Sequence, residues 1–465
     1  MKDFSFHYPT PFALLFILGL ISPLSAQWES DRRLTVNDSL SYTSSNNARC
    51  VAAAPGGFVH VVWSDRRDGN WEVYYKRSSD FGITWSQDVR LSQDTGVSWD
   101  PSLALSDSVI HVAWDDNRDG NWEIYYRRSS DSGLTWSSEA RFTNNPSTSE
   151  HPSVSASGAS VHMTWKDGAG IFYKRSTDSG QTWSPDTNIY GGWSFLPSIT
   201  TAGPFVHIVM QDHDWSWEVH YLRSTDSGLH WSRDTCLSNS WRDARSPSVA
   251  ASDSTVHVAW HDDRDVSDEV YYKRSTDAGA TWSPDLRLSS TPALSQNPSL
   301  SASGSLVYIT WNDERDGATE IYCKRSLDFG SSWSSDTRLT YDPGSSCFSS
   351  ISLMDTMAHM VWWDDRDGNS EIYYKRNPRA HWVGVEENSE ADRPRTAACR
   401  VAPNPFSSYA KMPGHEKQAF ALYDIQGRRV GAYLGDRIGE GLSPGVYFFK
   451  PSGSQQGLVR IVKVR

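Results

Sequence analysis

The 465-residue chain reads as all-β: a seven-bladed β-propeller followed by a small C-terminal β-sandwich. Three observations predict this. First, the pattern S-x-D-x-G-x-[ST]-W occurs six times, once with His before the Trp. It ends at Trp85, Trp136, Trp183, Trp231, Trp282 and Trp333, with spacings of 51, 47, 48, 51 and 51 residues. A period near 50 marks a repeat architecture whose units must stack to bury a core. Second, apolar residues alternate in short runs, and no sustained helical period appears outside the N-terminus. Third, each period resolves into four such runs, and four strands repeated radially make a propeller.

The N-terminal segment comes first. Phe12 to Ile21 form an apolar run of ten, followed by Ser22-Pro23-Leu24-Ser25-Ala26. This is too short to span a bilayer and has the form of a secretory signal peptide cut after Ala26. Residues 1–26 are therefore assigned to targeting, and the mature chain is expected to be secreted or displayed at the cell surface, with no transmembrane segment.

Residues 27–377 are the expected propeller. The first strand of a repeat follows Pro-Ser (PSLALS, PSVSAS, PSITTA, PSVAAS, PSLSAS) and the second ends in Trp (VHVVW, IHVAW, VHMTW). The third carries a Tyr pair and Arg (VYYKR, IYYRR), and the fourth follows the Asp motif (WSQDVRLS, WSSEARFT). Second and third strands occur seven times, the Asp motif six. The missing fourth strand lies at the other end, where Trp28-Glu29-Ser30-Asp31-Arg32-Arg33-Leu34-Thr35 matches W-x-x-D-x-R-L-[ST]. Residues 28–36 should thus close the last blade and hide the edges of an open array.

The six Asp motifs resemble the Asp boxes of sialidase-type, BNR-repeat propellers. In that resemblance Asp80, Asp131, Asp178, Asp226, Asp277 and Asp328 are structural: each carboxylate accepts backbone N–H groups across the turn, and the Trp lids it. The resemblance also implies an alternative activity, a sialidase-like exo-glycoside hydrolase. That family carries six blades, an Arg-Ile-Pro motif, three converging arginines, a Tyr–Glu pair and an Asp acid/base. Here the first inner strand reads Asn47-Ala48-Arg49-Cys50-Val51, and no catalytic residue is assigned.

Residues 378–395 read as a linker rich in charge and Pro. Residues 396–465 hold ten Lys/Arg against four Asp/Glu, a net of +6, whereas residues 27–395 carry −18. Such asymmetry marks a separate module. Pro403-Asn404-Pro405-Phe406, Leu422-Tyr423-Asp424, Gly427-Arg428, Pro444-Gly445-Val446-Tyr447 and the final VKVR resemble type IX secretion sorting domains and FlgD-like, Ig-like tails. The resemblance implies the secretion machinery as a partner.

The charge of −12 argues against nucleic acid, which needs a basic face. Loops of the form W-x-D-x-R-D-G, such as Asp65-Arg67-Asp68-Gly69-Glu72, contain carboxylates around a Gly turn. The embedded Arg favours an ion-pair network between blades over calcium. His60, His111, His162, His207, His257 and His359 recur once per blade. Equivalent residues on a ring do not converge on one ion, so no metal and no cofactor is expected. Five scattered cysteines give no framework, although Cys50 and Cys347 could meet if the ring closes.

Function is expected where the repeat breaks. Blade 3 has a cut-down loop, Lys166 to Gly170, and blade 4 replaces the second-strand Trp by Met210. Tyr190, Trp193, His213, Asp214, Trp215, Trp217, Trp241 and Arg245 gather on this face of blades 3–5. They read either as a notch that binds an extracellular glycan or glycoprotein, aromatic rings covering sugar C–H faces, or as caps on the sheets.

Overall fold

The computed structural model describes residues 28–380 except 47, 48, 169 and 379, together with strands between 410 and 463. The chain divides into two compact units, Met1–Val385 and Glu386–Arg465.

The first unit is a seven-bladed propeller. Blade 2 shows the plan: Ser98–Ser106 innermost, then Val109–Asp116, Glu123–Ser129 and the short outer pair Ala140–Arg141, all antiparallel. Blade 1 differs at its inner strand, which is split into Ser41–Tyr42 and Val51–Ala54. Blade 7 takes its outer strand from the other chain end. Arg32–Arg33 pairs with Glu371–Asn377, Arg32 opposite Tyr374.

Two rings of contacts join the blades, and both explain sequence features. At the inner ring the Pro-Ser signature follows a residue of positive φ, such as Asp100 (φ 45°) or His151 (φ 57°), where the ladder skips. Proline donates nothing there, and the following Ser hydroxyl accepts from the next blade's inner strand. Val154 N donates to Ser102 Oγ (3.0 Å) and Cys50 N to Ser350 Oγ (2.9 Å). Blade 1 carries Arg49-Cys50 instead, and Leu103 N turns to the Arg49 carbonyl (2.7 Å).

The outer ring uses the Asp box. Asp80 accepts Thr84 N (2.8 Å) and Thr84 Oγ1 (2.6 Å), while Ser78 Oγ accepts Gly82 N (2.8 Å). This fixes a turn that presents glycine to the preceding blade. A Cβ on Gly133 would fall 1.9 Å from the Tyr75 hydroxyl, and Gly133 has φ +81°, so the position is closed to a side chain on two counts. The box Trp reaches into the seam between blades: its ring stands edge-on to the tyrosine of the preceding blade, as Trp136 does to Tyr75 at 4.8 Å. Arg77 completes the joint by donating to the Ser132 carbonyl (2.9 Å).

The joint between blades 6 and 7 is assembled from both chain ends. Arg325 donates to the Ala380 carbonyl (3.1 Å), and Trp28 stands edge-on to Tyr308 at 5.9 Å. Trp28 thus takes the place of a seventh box Trp.

The recurring histidines bond the same tyrosines: His60 Nδ1 lies 2.6 Å from Tyr75 Oη, and His111 Nδ1 2.6 Å from Tyr126 Oη. Burial, reinforced by neighbouring arginines, pushes His60, His111 and His257 down to about 3 and His162, His207 and His359 to about 4. The expected ion-pair network lies mainly within blades. Arg67 pairs with Asp65 and reaches Asp88 of the same blade (2.6 Å), bracing the loop against the outer strand. Cys50 and Cys347 are free thiols, as are Cys236 and Cys323.

The second unit is described as a four-stranded antiparallel sheet, in the order Arg429–Leu434, Ala419–Tyr423, Gly445–Pro451, Val459–Lys463, with Ala410–Lys411 pairing Arg437–Ile438. The signal segment, most of the linker and Pro403 to Phe406 lie outside the described residues. Among the described residues no helix is long and apolar enough to cross a membrane.

Two predictions arise from these joints. Deleting residues 28–36 removes buried Leu34 and half-buried Trp28 and strips the blade 7 edge. The loss should be on the order of 5 kcal/mol, read as an earlier melt with aggregation; unchanged melting would show the latch to be dispensable. The histidines set an acid limit. Unfolded imidazoles bind protons below about pH 6.5, whereas the folded ones stay neutral. Stability is therefore intact above that pH and falls as pH drops toward 4, by up to about 1.4 kcal/mol per pH unit for each histidine. Urea midpoints that stay level from pH 7.5 to 5 would contradict this.

Candidate functional site

Strands alternate in direction, so loops 2–3 and 4–1 share one face and the Asp boxes occupy the other. On the first face blades 3–5 depart from the repeat. In blade 3 the turn is reduced so that Asp167 pairs directly with Gly170. The outer strand grows to Thr187–Gly191, with Tyr190 opposite Ile171. This carries Tyr190 and Trp193 up to the rim. In blade 4 the 2–3 hairpin gains a pair, His213 opposite Trp217, and Trp215 lies in its turn.

Trp193, Trp215 and Trp241 are 69%, 99% and 78% exposed, the largest exposures of any described tryptophan. Trp215, in the hairpin turn, is almost wholly in solvent. Trp217 is half-buried. Its ring meets Phe195 (5.6 Å) and His213 (4.8 Å), its backbone N–H donates to Asp243 Oδ1 (3.0 Å), and the Arg245 guanidinium lies over the ring at 5.7 Å. Arg242 stacks on Trp241 at 4.7 Å. His213, Asp214 and Arg245 are exposed, with Arg245 paired to Asp243. Tyr190 is half-buried and donates to Asp212 Oδ2 (3.0 Å). Its burial and the carboxylates of Asp234 and Asp212 raise its pKa, keeping the hydroxyl protonated.

Three further groups escaped the sequence reading. Arg49 enters the central channel, a space of about 190 Å³, and donates to Thr200 Oγ1 (3.1 Å). Burial lowers its pKa, and among the described residues no carboxylate pairs with it. At the channel mouth Asp100, Asp115 and His151 bring donor atoms within 4.8 Å of one another. Burial and the Asp100 carboxylate hold Asp115 well above the usual range. Asp100 is occupied by the loop inserted in blade 1, accepting Ser45 N (2.8 Å) and Ser45 Oγ (3.0 Å). In blade 4 the donors of Glu218, His220 and Cys236 also lie within 4.8 Å. Burial alone would lower His220, but Asp234, Asp212 and Glu218 outweigh it and raise it. A signal for this last group exists in the repeat: His220 and Cys236 stand where blade 1 has Tyr74 and Arg90.

Residues 19–197 match the model of the BNR repeat-like domain. No curated protein matches the chain. Among solved structures, the chain is similar to an ulvan lyase reported as a new family of polysaccharide lyase, with a TM-score of 0.53 at 11% identity over 74% of this chain and 95% of that one. Polysaccharide lyase Uly1 gives 0.53 at 9% identity, over 76% and 99%. The sialidase of Trypanosoma rangeli gives 0.45 at 12%, over 75% and 59%. At such identities the likeness is one of fold.

Proposed function

We propose that this chain is an exported carbohydrate-binding propeller whose ligand, an extracellular glycan or the glycan of a glycoprotein, lies across the tryptophans of blades 3–5. The observation that carries the reading is that Trp193, Trp215 and Trp241 stand in solvent on one face. Exposing such rings forgoes about 2 kcal/mol or more of burial each, and no packing role shared by the blades accounts for them. Flat rings suit the C–H faces of sugars, while His213, Asp214 and Arg245 offer polar partners at the edges. The lyase names attached to the similar folds point toward the same class of ligand. A glycan-cleaving activity, of sialidase-like or other kind, is the second reading. It is favoured by the Asp100–Asp115 pair, in which burial and the Asp100 carboxylate hold Asp115 well above the usual carboxylate range, and opposed by the hydrogen bonds that occupy Asp100.

Paired melting and titration test the binding surface, against a glycan array with fluorogenic glycosides run in parallel. Trp193→Ala and Trp215→Ala should weaken binding by on the order of 2 kcal/mol and shift stability by no more than about 0.5 kcal/mol. Trp136→Ala, in the seam, should cost on the order of 3 kcal/mol of stability and spare binding. Equal melting losses for all three would make the rim tryptophans caps, and turnover without a binding defect would move function to the channel mouth.

We further infer that residues 396–465 are an Ig-like sorting module. Their positive charge and terminal motifs support this. Removing them should leave the propeller folded but held short of the cell exterior in the native host. Equal extracellular yield with and without the tail would instead favour an adhesive role.

A further inference from the structure

Five blades carry one recurring set of ion pairs at the end of their second and third strands. In blade 5, Arg264 pairs with Asp262 and Asp285 (2.6 Å to the latter), Lys273 reaches Asp285 (2.7 Å), and Arg287 pairs with Glu269. Blade 6 repeats this with Arg315, Lys324 and Arg338. Blade 4 keeps the three carboxylates, as Asp212, Glu218 and Asp234, and has lost every cation. The positions of Arg264, Lys273 and Arg287 hold Asp214, Leu222 and Cys236, and that of Tyr271 holds His220. The carboxylates rearrange accordingly. Glu269 is fully buried, whereas the Glu218 side chain is 31% exposed and turned to His220, its Oε2 lying 3.7 Å from Nε2. The other ring nitrogen, Nδ1, lies 2.8 Å from Asp234 Oδ2.

We infer that blade 4 holds a divalent metal ion of the zinc class, bound by His220 Nε2, the Glu218 carboxylate and the Cys236 thiolate. The donor set carries this. Nitrogen, thiolate sulfur and carboxylate oxygen together suit zinc rather than calcium or magnesium, which take oxygen ligands. Bonds of about 2.0–2.3 Å in a tetrahedron place neighbouring ligand atoms roughly 3.3–3.8 Å apart. The 3.7 Å between Glu218 and His220 is within a few tenths of an ångström of the spacing a nitrogen–oxygen pair needs, and all three donors lie within 4.8 Å. Asp234 supplies what a metal-bound histidine needs behind it: a carboxylate on the second nitrogen, fixing the tautomer and the aim of the ring. The ion replaces the charge that Arg and Lys supply in the other blades. Three protein ligands leave a fourth position for water or a ligand oxygen.

The test uses reduced, chelator-stripped mature chain, residues 27–465, titrated with Zn²⁺ and with Co²⁺. The wild type should bind one ion tightly, and the Co²⁺ form should show thiolate-to-metal absorption in the near ultraviolet. Cys236→Ser should abolish that absorption and Cys323→Ser, at a buried thiol in blade 6, should keep it. Glu218→Gln and His220→Tyr should lose tight binding, the latter installing the tyrosine that blade 5 carries. Asp234→Asn should weaken binding by about 10–100-fold while leaving the thiolate band intact once saturated. Circular dichroism confirms that each variant is folded. A folded wild type that binds no ion, or a thiolate band that survives Cys236→Ser, would overturn the assignment.

Discussion

Six of the seven joints between blades are held by a tyrosine hydroxyl lodged against a glycine that cannot be anything else; the seventh, between blades 6 and 7, is made by Trp28 on Tyr308. Tyr75 meets Gly133, Tyr126 meets Gly180, and the series runs on to Tyr374 against Gly82, which joins the last blade to the first. The Asp box exists to present that glycine. Its carboxylate bonds and its serine shape the turn, and its tryptophan fills the seam beside the tyrosine. The histidine of the second strand completes the set by fixing the tyrosine from behind. Because these parts meet across blades, no blade carries a finished core of its own.

That division of labour separates the two faces of the molecule. The Asp-box face is occupied by joints repeated around the ring, and its residue types are fixed by packing. The opposite face carries loops that brace mainly their own blade, so many of them can vary without opening the ring. Blades 3–5 use that freedom. Blade 3 gives up its charged loop, blade 4 gives up its cations, and blade 5 sends in Trp241 and Arg245. The loss of Arg and Lys in blade 4 leaves carboxylates that need another source of positive charge, and His220 stands among them.

The fold was legible because its determinants are local and repeated. A turn motif every 47 to 51 residues and seven alternating strand pairs define blades before any long-range contact is considered. The fourth-strand signature at Trp28 located the closing strand for the same reason. What lay beyond reach depends on contacts between repeats. That Trp85 packs on Tyr374 requires knowing which blade lies alongside. The inserted loop at Ser44 and Ser45, which covers Asp100, occupies residues with no counterpart in the other blades. The blade 4 cluster was readable in principle from aligned columns, yet His220 and Cys236 are 16 residues apart and match no metal spacing. Only the strand register, His220 opposite Cys236, makes them neighbours. The rim tryptophans were found by their absence elsewhere, but the near-complete exposure of Trp215 follows from a hairpin length that sequence does not set.

The split seventh blade also governs the order of events in folding. Strands within a blade meet across short hairpins, so their closure is cheap in chain entropy and early. The pairing of Arg32 with Tyr374 joins residues at opposite ends of the propeller and has the largest sequence separation of any strand pair in it. During synthesis the segment around Trp28 emerges first and has nothing to pair with until more than three hundred residues have followed. For that interval the edge it will cover does not yet exist, and the blades form an open, unsealed arc. The latch is thus both the first part made and the last part placed, and the ring becomes a single cooperative body only at that final step.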